Sequence, residues 1–209
     1  MSANGRVLIG FAYPVAAKYN FDGTNVTYSG GMVMARGVGV SLDLETSDDN
    51  NFYADNVVVE SENGEFTGGT ADLTVDGMHP TAERFVLGLP APEEVTYGET
   101  RKVNVTKYGA KAKPPYIGVG FVAVYQSDGV EIYVPTILTK AKMRQPKFEA
   151  KTKEDKKDWQ TQELTADLHR DDTSDANWKW IAEDQSTMAA AKEILNGILN
   201  VAVASEEDS

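Results

Sequence analysis

Apolar and polar residues alternate with period two in several segments of this chain, which is the pattern of half-buried strands. The clearest case is Met34–Glu45, where Val38, Val40, Leu42 and Leu44 fall on one face and Gly37, Gly39, Ser41, Asp43 and Glu45 on the other. Ahead of it, Arg6–Phe11 predicts a first strand that Tyr13 and Pro14 break, and Val15–Tyr19 a second short run. Turn chemistry at Phe21–Asn25 and Ser29–Gly31 brackets Val26–Tyr28. After it, Val57–Glu60 and Glu65–Val75 read as a hairpin closed at Glu62-Asn63-Gly64, because Asn-Gly tolerates the positive φ that tight turns need.

The second half repeats the pattern. Pro80–Gly88 predicts a short helix with proline at its start and Gly88 at its end, too short to be stable unless it packs on the sheet. Pro90–Pro115 reads as a loop or an extended hairpin. Tyr116–Tyr125 and Val130–Leu138 form a strand pair across Ser127-Asp128-Gly129, with Pro135 marking an edge or a bulge. Asp158–His169 alternates again, and Asn177–Ile181 is short and aromatic. Ser186–Val201 predicts a helix capped by Ser186, with Met188, Ala191, Leu195, Ile198 and Leu199 as its apolar stripe. The fold class is therefore mainly β: an antiparallel β-sandwich or barrel with one short flanking helix and a possible C-terminal helix.

Two segments stand outside this scheme. Ser47–Asn56 is acidic and polar yet carries Phe52 and Tyr53, which solubility alone does not call for; it reads as a contact arm. Lys140–Lys157 collects eight basic residues, among them Lys151, Lys153, Lys156 and Lys157, against Glu149, Glu154 and Asp155. A lysine-guarded loop or edge strand is one reading of it. A positive patch that meets the acidic arm of another copy is the second, and a phosphate-binding patch the third.

The 209 residues, 41% of them apolar, fit one domain with a real core. Absence of cysteine excludes disulfides, thiol chemistry and thiolate zinc sites. The N-terminus lacks the signature of a signal peptide, and no stretch is apolar enough to span a bilayer. A formal charge of −12 disfavours nucleic-acid binding, since such a surface repels phosphate.

No catalytic constellation emerges. His79 beside Pro80 reads as a helix-start residue and His169 as a strand end; neither lies in a motif with a nucleophile. The carboxylate pairs Asp48-Asp49 and Asp171-Asp172 admit a glycosidase reading but suit solvated or capping roles better. Asp48-Asp49-Asn50-Asn51 with Asp55 offers hard oxygens for calcium but lacks the ligand spacing of an EF-hand. Trp159, Trp178 and Trp180 suit core or interface burial, with a sugar-stacking platform as the alternative. No cofactor, metal or catalytic residue is expected.

Several stretches together resemble the major tail proteins that build the tail tube of bacteriophages with long, non-contractile tails. They are Asn4–Gly10, Ala17–Asn20, Ser47–Asn56, Phe66–Thr70, Leu73–Gly77, Tyr116–Phe121 and Asp158–Leu164; spread along the sequence, they extend the resemblance over nearly the whole chain, with Pro92–Pro114 and Ala204–Ser209 matching least. The resemblance implies a single tail-tube domain over residues 1–209, with an inter-ring loop at about 44–56 and a C-terminal extension at about 182–209. It further implies six copies in a ring and rings stacked into a tube through which DNA passes without specific binding. Its partners would be further copies, a tail terminator, a tape-measure protein and a distal tail protein, with no membrane. The protein would be made in the host cytoplasm and reside in the virion tail. Contact residues on this reading are Asp48, Asp49, Asn50, Asn51, Phe52, Tyr53 and Asp55 on the arm, and the lysines at 151, 153, 156 and 157 on the patch. The competing class is a monomeric β-sandwich carbohydrate-binding module that uses Trp178 and Trp180.

Overall fold

The structure, a computed structural model, describes residues 5–48, 50–54, 57–62, 64–147 and 160–202, with the backbone alone in 50–54 and 57–62. Its elements run β1 (Val7–Phe21), β2 (Val26–Val33), β3 (Gly37–Thr46), β4 (Asn50–Ala54), β5 (Val57–Glu62), β6 (Phe66–Val75), α1 (Pro80–Val86), β7 (Glu93–Tyr97), β8 (Arg101–Val105), β9 (Tyr116–Ser127), β10 (Val130–Met143), β11 (Gln162–His169), β12 (Lys179–Ile181) and α2 (Met188–Leu199). The main sheet is antiparallel, in the order β2-β1-β9-β10-β11-β6-β3, with β12 on part of β10. Among the described residues, strands β4 and β5 pair only with each other, as do β7 and β8.

Strands β2 and β3 are the two edges of the main sheet, yet only Met34, Ala35 and Arg36 lie between them. A link that short spans at most about 14 Å. The sheet must therefore curl until its edges nearly meet, giving a sandwich-like shape that stops short of a closed barrel. Met34 crosses the seam fully buried. Its N–H donates to the Pro14 carbonyl at 2.9 Å, and its carbonyl accepts from His79 N–H at 3.2 Å. Both backbone groups of Met34 are thus satisfied as the chain crosses between the sheet edges.

The curl makes two apolar layers. On β9, Ile117, Val119, Phe121 and Ala123 face the inside, where Leu73, Val75, Leu138, Leu164 and Val86 of α1 join them. Val122 and Val124 face the opposite side, under Ala191, Leu195 and Leu199 of α2. Both faces of β9 are covered, so it reads as a continuous apolar run rather than an alternation. A register shift between Leu138 and Ala141 in β10 brings Ala141 and Met143 onto the same inner face as Leu138.

Several expectations hold. Helix α1 begins with His79 as cap, its Nδ1 accepting from Thr81 N–H. Helix α2 buries Ala191, Leu195 and Leu199 against the chain's own sheet. Asp128 and Gly129, both at positive φ, turn β9 into β10. The segment after Pro90 is indeed an extended hairpin, β7–β8.

Others need correction. Tyr13 and Pro14 do not end a strand: β1 runs on through them, with a register shift between Ala12 and Val15. Tyr13, at φ 57°, is turned toward α2, where its hydroxyl donates to Asn196 Oδ1 at 2.9 Å. Of the two readings of Pro135 the bulge holds and the edge does not, because β10 is paired on both sides. Its carbonyl accepts from Ala182 on the β12 side, where the register changes between Tyr133↔Gln185 and Thr136↔Ile181, so the missing N–H falls at an irregularity. Val38 is exposed, because β3 is irregular between Gly37 and Gly39, and Leu44 is exposed where β3 leaves the core. The cap of α2 is Thr187, not Ser186.

Candidate functional site

The candidate site is the β4–β5 arm and the residues that anchor its foot. Strand β3 pairs with β6 from Gly37↔Val75 to Thr46↔Phe66. The pairing continues as Ser47 N–H donating to the Glu65 carbonyl at 2.8 Å, and then as Asn50↔Glu62 to Ala54↔Val57 in the arm. The segment expected to be a loop over 44–56 is thus strand on both sides of a short break. It is one leg of a hairpin that extends β3 and β6 past the sheet. The expected hairpin over 57–75 does not form, since β5 pairs back to β4. At Gly64 a Cβ would lie 1.8 Å from the Ser47 carbonyl oxygen. That glycine is required by close passage of the two legs, not by a hairpin turn at Asn63-Gly64.

Arg170 ties the foot to the body. It follows β11, and its Nε donates to the Phe66 carbonyl while Nη2 donates to Glu65 Oε2 at 3.1 Å. The Phe66 ring stacks on Trp178, centroids 4.9 Å apart at 20°. Trp178 O in turn accepts from Thr139 N–H of β10. Glu65, Phe66, Arg170, Ser174, Asp175 and Ala176 line a shallow open cleft of about 410 Å³ beside the foot.

The loop that carries Arg170 is itself locked. Asp171 is buried, and its Oδ1 accepts from Thr173 N–H, Thr173 Oγ1 and Asn177 N–H. Its Oδ2 is buried and has no hydrogen-bond partner among the described residues. Asp172 accepts from Lys140 Nζ at 2.7 Å on both carboxylate oxygens and from the Tyr19 hydroxyl at 3.0 Å. Lys140 Nζ also lies 4.7 Å from the Tyr116 ring centroid and 5.2 Å from that of Tyr19, so aromatic faces and a carboxylate together enclose the ammonium.

The electrostatics follow. The Lys140 hydrogen bond holds the Asp172 carboxyl below the usual range. Burial pushes the Tyr19 hydroxyl up to about 12 and the more deeply buried Tyr28 hydroxyl up as well. Burial, with Lys140 and Lys142 nearby, lowers His169 against the pull of Asp167. A tyrosine held neutral is a poor proton-transfer group at neutral pH. The cluster fastens the structure together. Among the described residues no three histidine, aspartate or glutamate side chains group around a possible metal position.

Asp48 is exposed where β3 passes into the arm, and Asn50, Asn51, Phe52 and Tyr53 lie in β4. Asp49 and Asp55 lie outside the described residues, as do Lys151, Lys153, Lys156, Lys157 and Trp159. The basic segment is in part strand: Lys140 and Lys142 belong to β10, and Arg144 pairs with Asp167 at 2.5 Å. Trp180 meets the Tyr28 ring edge-on at 6.0 Å, so Trp178 and Trp180 are engaged in separate packing groups. Arg170 and the Lys140–Asp172–Tyr19 lock were not singled out from sequence. The pair Asp171-Asp172 was the only local signal, and the Asp172 partners Lys140 and Tyr19 lie at distant positions along the chain.

Comparison of the chain with protein-family models and with curated proteins finds no match to either. Among the described residues no helix is long and apolar enough to cross a membrane.

Proposed function

We propose that this chain is a structural subunit that assembles with copies of itself into rings stacked as a tube, the tail tube of a bacteriophage with a long, non-contractile tail. The β4–β5 arm is the observation that carries the reading. It extends a hairpin of the main sheet beyond the core and pairs with no other described strand. Its foot is clamped by Arg170 and the Phe66–Trp178 stack, so the arm is aimed by the body. An aimed arm reaching a neighbouring ring gives stacking with little ordering cost at the moment of contact.

Charge supports the same reading. Acids crowd the arm segment, and the chain carries −12 overall, which suits a conduit that lets DNA slide. A cationic bore would release counterions and hold the genome. Acidic arms that meet Lys151, Lys153, Lys156 and Lys157 on the next ring would set register, in a salt-sensitive way. The chain would reside in the virion tail, having been made in the host cytoplasm.

The test is excision of the arm. Ser47 and Glu65 are already hydrogen-bonded neighbours, so residues 48–64 can be replaced by a short glycine linker with both legs left in register. The variant should fold and fail to form sedimentable assemblies under conditions where the full chain does. Assembly at undiminished yield by the arm-less variant would refute the reading.

A further inference from the structure

The hairpin β7–β8 stands apart from everything above. Every residue of both strands is exposed, and the two strands pack chiefly on each other. Opposed residues of an antiparallel pair share a face. Glu93↔Val105, Val95↔Val103 and Tyr97↔Arg101 therefore make one face, and Glu94, Thr96, Lys102 and Asn104 the other. The second face is polar and carries the Lys102–Glu94 ion pair at 2.7 Å. The first is apolar, with Val95, Tyr97, Val103 and Val105 between 36% and 51% exposed. A lone two-stranded hairpin is marginal in water, and an apolar face on it marks a contact surface.

We infer that this face packs on the same face of a second copy, as a two-fold pair. The order of groups along the hairpin selects that partner. Glu93 lies at the foot, Val95 and Val103 in the middle, and Arg101 at the tip opposite Tyr97. Two such faces laid antiparallel and crossed at an angle put Val95 on Val95 and Val103 on Val103, and bring Arg101 of each copy diagonally across to Glu93 of the other. The pattern is self-complementary, as a two-fold contact demands. Glu93 already holds Lys107 at 2.6 Å and shares its carboxylate with the incoming guanidinium. Overall charge points the same way. Residues 93–107 hold three acids (Glu93, Glu94, Glu99) and three bases (Arg101, Lys102, Lys107), a neutral element on a chain of −12. Like chains repel least there.

This contact does not depend on the tube reading. A two-fold pair cannot repeat along a stack whose rings all face one way, so it belongs to the free chain. It would part before rings stack, holding unassembled chains in reserve.

The test is sedimentation of the full chain as a function of concentration, with charge-swapped variants at exposed positions that leave the fold intact. The wild-type chain should pass from 22.7 kDa to twice that mass as concentration rises. Arg101→Glu and Glu93→Lys should each raise the midpoint by about tenfold, and the double variant should return it to within about threefold of wild type. A wild-type chain that stays monomeric overturns the inference. So does a midpoint indifferent to Arg101→Glu, or a double variant no better than the worse single one. Electron microscopy of assembled material tests the tube separately, so failure of either idea is visible without the other.

Discussion

Arg170 and Phe66, more than a hundred positions apart in the chain, meet through the Arg170 Nε–H and the Phe66 carbonyl at the foot of the β4–β5 arm. The same guanidinium reaches the Glu65 carboxylate at 3.1 Å, so one side chain fixes the first two residues after the arm. Hydrogen bonds from charged donors are the stronger kind, and the planar fork of arginine makes two at once.

Arg170→Ala should therefore loosen the foot and leave the body folded. Amide exchange at Glu65 and Phe66, or proteolysis between Thr46 and Phe66, should speed up by about tenfold while the melting temperature moves little. Arg170→Lys should recover only part of the protection, since an ammonium cannot make both bonds in the same plane.

Removing the carboxylate from the lock should cost more. Lys140 has only 13% of its side chain exposed, and Asp172→Asn would leave that ammonium without its counter-charge. The expected loss is about 1–3 kcal/mol by chemical denaturation. The pH dependence has a definite sign. The Asp172 carboxyl is held below its ordinary value, so its contribution is complete above the unfolded pKa and disappears as the pH falls through the depressed one. Acid titration should show the wild type losing stability below about pH 4 more steeply than Asp172→Asn.

Tyr19 predicts the opposite limb. Its hydroxyl is pushed up to about 12, so the folded state favours the neutral phenol. That stabilisation is full below the ordinary value of 10.0 and is lost as the pH rises through about 12. Tyr19→Phe should flatten the alkaline arm of the stability curve between those values, leaving the slope due to the other raised tyrosines, Tyr28, Tyr108 and Tyr133.

Helix α2 should report on the outer core. Leu195 is fully buried beneath it among Val15, Val122 and Ile137. Leu195→Ala should destabilise by about 2–5 kcal/mol, since the curled sheet can relax little into the cavity. Ile198→Ala, at a position 39% exposed, should cost much less, although the apolar stripe read from sequence gives both residues equal standing.

That contrast shows what was legible in the chain. Period two located β3, β6 and β11, and the short helix at Pro80 and the turn at Asp128-Gly129 followed from local chemistry. Closure was not local. Nothing in Met34-Ala35-Arg36 announces that two sheet edges meet there, because the curl is set by register shifts scattered over several strands. Tyr13-Pro14 looked like a break because proline usually is one, and the bulge absorbed it. Ser47–Asn56 was legible as an unusual segment through Phe52 and Tyr53, but its pairing with β5 was hidden by Asn63-Gly64, which imitates a turn. The clamp and the lock join residues far apart in sequence, and no spacing rule reaches that far.

The most direct measurement is electron microscopy of the concentrated full-length chain across a series of salt concentrations. The account predicts straight tubes with a central bore, built of stacked rings, becoming fewer as salt rises. Separate globular particles at every concentration and salt level would contradict it.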